Sequence, residues 1–153
     1  MTAVGSRGQL RGRAADGRRF GYVVAIVVNA VALHIVTNLL VWNVPSFLTD
    51  DFAVALPLIR ASLFAAIIAN AAYLVHDGQV FRSLTQLGVS GIALAATVRL
   101  LGVFPFDFAD ATVNWALVAR GVLLVAVIGT VIGMIVEALK LLGALGRFPD
   151  APR

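Results

Sequence analysis

Four apolar runs constrain this chain more than any other feature, because each is long enough to cross about 30 Å of hydrocarbon as a helix, which takes about 20 residues. They fall at roughly 20–43, 53–75, 84–104 and 112–135. The segments between them, VPSFLTDDF, HDGQVFR and PFDFADA, are too short to be domains, so the runs must follow one another as hairpins. In lipid every backbone polar group needs a partner within the protein, which excludes open strands, and the runs lack the alternation of a barrel. The expected fold is all-α, an antiparallel four-helix transmembrane bundle. A composition of 60% hydrophobic and 13% charged residues places the chain outside the range of soluble domains. With no cysteine there are no disulfides, thiolate metal sites or cysteine nucleophiles.

The expected organisation is a basic, disordered cytoplasmic tail at 1–19, a four-span membrane domain at 20–146 and a short cytoplasmic tail at 147–153. Basic residues near span ends are retained on the cytoplasmic side. Arg7, Arg11, Arg13, Arg18 and Arg19 precede the first run, Arg82 lies in the middle loop, and Lys140, Arg147 and Arg153 follow the last. The other two loops carry acids instead, Asp50, Asp51, Asp107 and Asp110. The chain is therefore expected to be a multi-pass protein of the cytoplasmic membrane, with both termini inside and two acidic hairpins outside.

A cleaved signal peptide is the competing reading of the N-terminal region, since arginines precede an apolar run and Ala53-Val54-Ala55 resembles a cleavage site. The run exceeds the roughly 7 to 15 residues of a signal core, so it reads as a retained span; the same length argument counts against a twin-arginine export signal at Arg18-Arg19-Phe20. The Gly- and Arg-rich tail fixes topology and lies on anionic headgroups. Its few charges do not make a nucleic-acid site, and no nucleic-acid partner is expected.

Three arginines interrupt the apolar runs. Arg60 follows Asp51 by nine residues, Arg99 precedes Asp107 by eight and Arg120 follows Asp110 by ten. Counted at the helical rise, all three lie about 12 to 15 Å below the outer acids, and His34 falls in the same layer. A shift of 60 residues superimposes Pro45 on Pro105, Asp50 on Asp110 and Arg60 on Arg120, which suggests two repeated helix hairpins about an axis along the membrane normal.

An unpaired arginine in hydrocarbon costs from about 2.5 kcal/mol to well above 10, depending on the reference. Three readings compensate it. In the structural reading Asp50, Asp51, Asp107 and Asp110 fold over the bundle mouth and pair with the arginines, helped by Asn38, Asn43, Thr97 and Asn114. Thr49 or Asp50 and Asp110 can instead serve as helix N-caps. In the functional reading, Arg60, Arg99, Arg120 and His34 form an outward-facing layer for an anion or lipid headgroup. In the third, the arginines snorkel to the interface.

Trp42, Phe47, Phe52, Phe104, Phe106, Phe108 and Trp115 gather at one boundary and Phe20, Tyr22, Tyr73 and Phe81 at the other, as interfacial belts do. Gly129 and Gly133 form a GxxxG, expected to seat a neighbouring helix in the bundle or in a homodimer. Ser83, Gln86, Ser90 and Thr97 share a stripe of the third run, with Asn29, Asn70 and Thr130 at mid-depth. These groups are expected to make interhelical hydrogen bonds.

His34 and His76 lie toward opposite ends, so one chain cannot bring both to a single haem iron, although two copies of His34 in a homodimer could. No acid falls inside the four runs, which argues against ion-coupled transport, and no nucleophile with an oriented base appears. WNVPSFLTDDF and RLLGVFPFDF are similar to stretches of small four-span membrane proteins of actinobacteria that carry no assigned activity. The resemblance runs from the second half of the first span onward. It implies the same topology in a bacterial cytoplasmic membrane and supplies no catalytic residue.

The leading expectation is a non-catalytic membrane component, without cofactor or metal, that associates with lipids and with a membrane-protein partner or a second copy of itself. An anion or headgroup binder built on the arginine layer is the alternative, and a haem or quinone redox subunit is the second alternative.

Overall fold

The computed structural model describes residues 3–42, 46–76, 78–108 and 114–146, with side chains described from residue 17 onward except that of residue 145. It contains four helices: α1 (Ala3–Trp42), α2 (Phe52–Val75), α3 (Gln79–Val103) and α4 (Trp115–Leu145). All four are long and apolar enough to cross a membrane. Helix α1 begins within the 1–19 segment expected as a disordered tail, and its membrane-length portion is Gly17–Trp42. Helix α4 continues well past the expected end at 135. Ala, Leu, Glu and Lys in EALKLL are strong helix formers, and nothing in that stretch breaks the backbone ladder.

Each end of a helix has a local cause. Helix α2 opens at Asp51, where Phe52, Ala53 and Val54 donate to the carbonyls of Thr49, Asp50 and Asp51 at 3.0 Å. Neither Thr49 nor Asp50 is the capping residue, and Asp51 makes no side-chain cap bond. Helix α4 is capped by Asn114, whose Oδ1 accepts from the Leu117 N–H at 3.1 Å. The cap expected at Asp110 lies outside the described residues.

Helix α3 stops because Pro105 has no N–H and disfavours a helical residue before it. Phe104 takes the left-handed conformation at φ 45°, and its N–H closes on the Leu100 carbonyl at 2.9 Å. That conformation is unfavourable for a residue with a Cβ. Full burial of Pro105 and the packing of the Phe104 ring edge-on to Phe106 at 5.4 Å hold it in place.

The two long hairpin loops meet. Thr49 donates to the Pro105 carbonyl at 2.9 Å and Asp107 to the Phe47 carbonyl at 2.8 Å, which sets Leu48 opposite Phe106 in an antiparallel bridge. Phe47 stacks on Phe108 at 5.0 Å across the same junction. This stitched end is called the hairpin end below; the opposite end, with the α2–α3 turn, is the terminal end.

Side-by-side packing joins α1 to α2, α2 to α3 and α3 to α4. Among the described residues no Cα of α1 lies within 8 Å of one in α4, so the bundle is unsealed on that side. Its buried residues accordingly follow α2 and α3: Phe52, Ala55, Leu56, Ala69 and Tyr73 on one, Ser83 and Ala96 on the other.

The open side bears on the 60-residue repeat. A twofold axis relating the hairpins maps the hydrogen-bonded pair Phe47 and Asp107 onto itself, so the register of the loop bridge is the one a repeat requires. The helices do not follow that symmetry. The same axis would make α4 pack on α1 as α2 packs on α3, and it does not.

Candidate functional site

The hollow left by the missing α1–α4 contact lies toward the terminal end and has a volume of about 720 Å³. All four helices line it. Helix α1 supplies Tyr22, α2 supplies Asn70 and Tyr73, and α3 supplies Arg82, Gln86 and Ser90. Those three α3 residues recur every four positions and therefore share one face. Helix α4 contributes Ala126, Gly129, Thr130, Gly133, Val136, Glu137 and Lys140, again a single stripe.

One interhelical bond dominates the site. Ser83, 3% exposed, donates from Oγ to Glu137 Oε1 at 2.6 Å. Lys140 Nζ donates to the other carboxylate oxygen at 3.1 Å. Glu137 thus ties α3 to α4 and anchors a lysine at the cavity rim. Its short bond to Ser83 has the length of a charge-assisted hydrogen bond.

On the far wall Tyr73 is 4% exposed and donates to the Arg82 carbonyl at 3.3 Å. Its ring lies 5.4 Å from that of Tyr22, whose hydroxyl accepts from Arg82 Nη1 at 3.4 Å. Tyr73 therefore belongs to the protein interior and not to an interfacial belt.

Four other polar side chains of the apolar helices bond within their own helix. Asn29, Asn70, Thr97 and Thr130 each donate to the carbonyl four residues earlier in their own helix, at 2.7 to 2.9 Å. This corrects the expectation that they cross between helices. A side chain in a helix can always reach its own preceding turn, whereas a cross-helix bond needs a partner at matching height. Ser83 has one.

The GxxxG seats no helix of this chain among the described residues. Gly129 and Gly133 face the hollow, and a methyl placed on either would meet no heavy atom within 4 Å. Their lack of side chains widens the cavity.

The described contacts of the expected layer each have a different partner. Arg60, Arg99, Arg120 and His34 are all exposed to the surroundings of the bundle. Arg60 Nη2 donates to the Thr37 carbonyl on α1 at 3.4 Å. Arg120 sits over the Phe104 ring, 4.4 Å from its centroid. His34 packs edge-on to Trp42 at 5.9 Å.

No described ion pair joins Arg60, Arg99 or Arg120 to the exposed Asp50 and Asp51. Asp107 is likewise exposed, and Asp110 lies outside the described residues. From the hairpin ends of their helices Arg60, Arg99 and Arg120 are about 12, 6 and 8 Å deep. Arg99 and Arg120 are shallower than counted from the acids, because 104–108 and Asn114 are loop and not helix. That depth is within reach of the interface for a long side chain.

Sequence reasoning passed over Glu137 because the fourth run was ended at 135. The usable signal was EALK continuing a helix, with a serine at matching height on the preceding one. A second hollow of about 440 Å³ at the hairpin end, lined by Phe47, Phe108, Trp115, Val118 and Ala119, is almost wholly apolar. No group of three or more His, Cys, Asp or Glu able to hold a metal occurs among the described residues. Comparison of the chain with protein-family models, curated proteins and solved structures finds no match in any of the three.

Proposed function

We propose that this chain is a non-catalytic integral membrane protein that acts by associating with other membrane components through the unsealed α1–α4 side of its bundle. The observation that carries the reading is the polar-lined hollow between helices that are themselves apolar outside. Charged side chains facing hydrocarbon are costly unless they are paired, watered or covered. A cavity holding Arg82, Glu137 and Lys140 and opening sideways is suited to a partner that enters from within the bilayer.

The distribution of basic residues supports a cytoplasmic terminal end, because Arg18, Arg19, Arg82 and Lys140 lie there while the hairpin loops carry Asp50, Asp51 and Asp107. In that orientation the hollow opens toward the inner leaflet.

Native mass spectrometry of the protein released from membranes in mild detergent tests the reading. The wild type should retain lipid or protein adducts, and Gly129→Leu with Gly133→Leu, which fills space that is open around both positions, should lose them while keeping its helical circular dichroism. Recovery of wild type as a bare single chain under several extraction conditions would refute it.

A further inference from the structure

We infer that the hollow between α1 and α4 is a water-filled vestibule, entered from the terminal end, blind near mid-membrane and suited to small uncharged polar solutes. The vestibule is independent of lateral association, because water enters along the helices whatever covers the open side.

Depth follows from one bond. The contact of Ser83 with Glu137 sets those two residues at the same height. Seven residues further along α3 stands Ser90, and seven back along α4 stands Thr130, so both lie about 10 Å deeper. Each is at or next to the midpoint of its helix, and both line the hollow. At the other extreme Arg82 and Lys140 lie within about 8 Å of the terminal ends of α3 and α4. The polar lining thus extends from near the helix ends to the middle of the bundle.

The charged groups give no preference for an ion. Lys140 Nζ is held by Glu137 Oε2 at 3.1 Å, while Arg82 donates to the Tyr22 hydroxyl at 3.4 Å and has a further partner. Hydrogen-bonding capacity is left over instead. Asn70 gives one N–H to the Ala66 carbonyl at 2.7 Å, and Gln86 gives one to Ser90 Oγ at 3.5 Å. A side-chain amide has two donors and an acceptor oxygen, and the rest of theirs make no described bond.

Water serves such groups where the space is polar and roomy, at about 30 Å³ per molecule. The hollow has about 720 Å³. An acyl chain in the same space would leave the amides without partners and the three charges without solvent. A small solute bearing hydroxyl or amide groups can replace water there, since it offers the same donors and acceptors and brings no charge.

The inner end is closed by apolar wall. The lining stops at Ser90 and Ala126, and one turn beyond them stand Leu94 and Val122. At the hairpin end the loops are joined by the bonds from Thr49 to Pro105 and from Asp107 to Phe47, with Pro105 fully buried.

The test exploits a chain that has no cysteine of its own. Ser90→Cys and Thr130→Cys probe the deep wall from two helices. Ile128→Cys, at nearly the same depth but 58% exposed on the other face of α4, is the lipid-facing reference, and Gly146→Cys marks the terminal end. Intact cells and inverted membrane vesicles are treated with a trimethylammonium and a sulfonate methanethiosulfonate, neither of which crosses a bilayer.

Ser90→Cys and Thr130→Cys should react with both reagents, and only in the preparation where Gly146→Cys reacts. Ile128→Cys should be at least about a hundredfold slower, because a thiol in apolar surroundings keeps its proton and the thiolate is the reacting form. Scaled to Gly146→Cys, the two reagents should agree within about threefold at each deep position. If neither deep cysteine reacts, or both react no faster than Ile128→Cys, the vestibule is overturned and lateral association is untouched. Reaction from the hairpin side overturns the blind end, and a preference above about tenfold for either charge overturns the uncharged solute. Should one deep variant lose its helical circular dichroism, the other decides.

Discussion

Removing the Ser83 hydroxyl should loosen the α3–α4 seam by an amount that the geometry bounds from two sides. The bond to Glu137 is short, at 2.6 Å, and its donor is 3% exposed. Hydrogen bonds to charged groups contribute about 1.5 to 3 kcal/mol in proteins generally. Interhelical bonds in membranes average about 0.6 kcal/mol and reach about 1.7, because the dissociated helices find other partners in lipid. Here the acceptor has such a partner at hand, since Lys140 already holds its second oxygen and 16% of the Glu137 side chain is accessible.

The expected coupling is therefore about 1 kcal/mol, between the membrane average and the general value for charged partners. Reversible unfolding in mixed micelles, titrated with dodecyl sulfate and followed by far-ultraviolet circular dichroism, can measure it in a double-mutant cycle of Ser83→Ala and Glu137→Ala. Lys140→Met serves as the comparison, because a pair this exposed contributes at most about 0.5 kcal/mol. A Ser83–Glu137 coupling under about 0.3 kcal/mol would place the two residues among sites that simply add, and would refute the claim that they tie the helices together.

Gly129→Ala and Gly133→Ala should each raise stability by about 0.5 to 1 kcal/mol in the same assay, from helix propensity alone. A loss of that size would mean that a helix does pack against them. Arg60→Leu combined with Asp50→Asn should be additive within about 0.3 to 0.5 kcal/mol, since no described ion pair joins the two; a larger coupling would show that this aspartate and this arginine interact across the bundle mouth. A single cysteine at Asp51 in this cysteine-free chain should react with a membrane-impermeant maleimide on intact cells, and one at Gly146 only after lysis. The opposite pattern would invert the orientation.

What the sequence determined by itself is the part of the architecture that depends on one dimension. Apolar length against bilayer thickness gives the number of helices, and connections of a few residues force consecutive antiparallel hairpins. The ends of α2 and α3 lie within a few residues of expectation for a local reason, since Pro105 and the Asp50-Asp51 turn act on their own neighbours. Tertiary structure decided everything that requires two helices to be at the same height and facing each other. Ser83 and Glu137 are 54 residues apart; EALK continuing the helix puts a carboxylate at the height of the serine, but no feature of either segment says that the two face each other.

Whether α4 closes on α1 depends on how three successive helix pairs cross, a quantity that accumulates along the bundle and has no signature in any one helix. The glycines of the GxxxG have the same composition whether they face a helix or a void. The arginine spacing gives depth only where the stretch from acid to arginine is helical, as it is for Arg60 and not for Arg99 and Arg120, and it says nothing of rotation, which separates a side chain turned toward a neighbouring helix from one turned toward lipid.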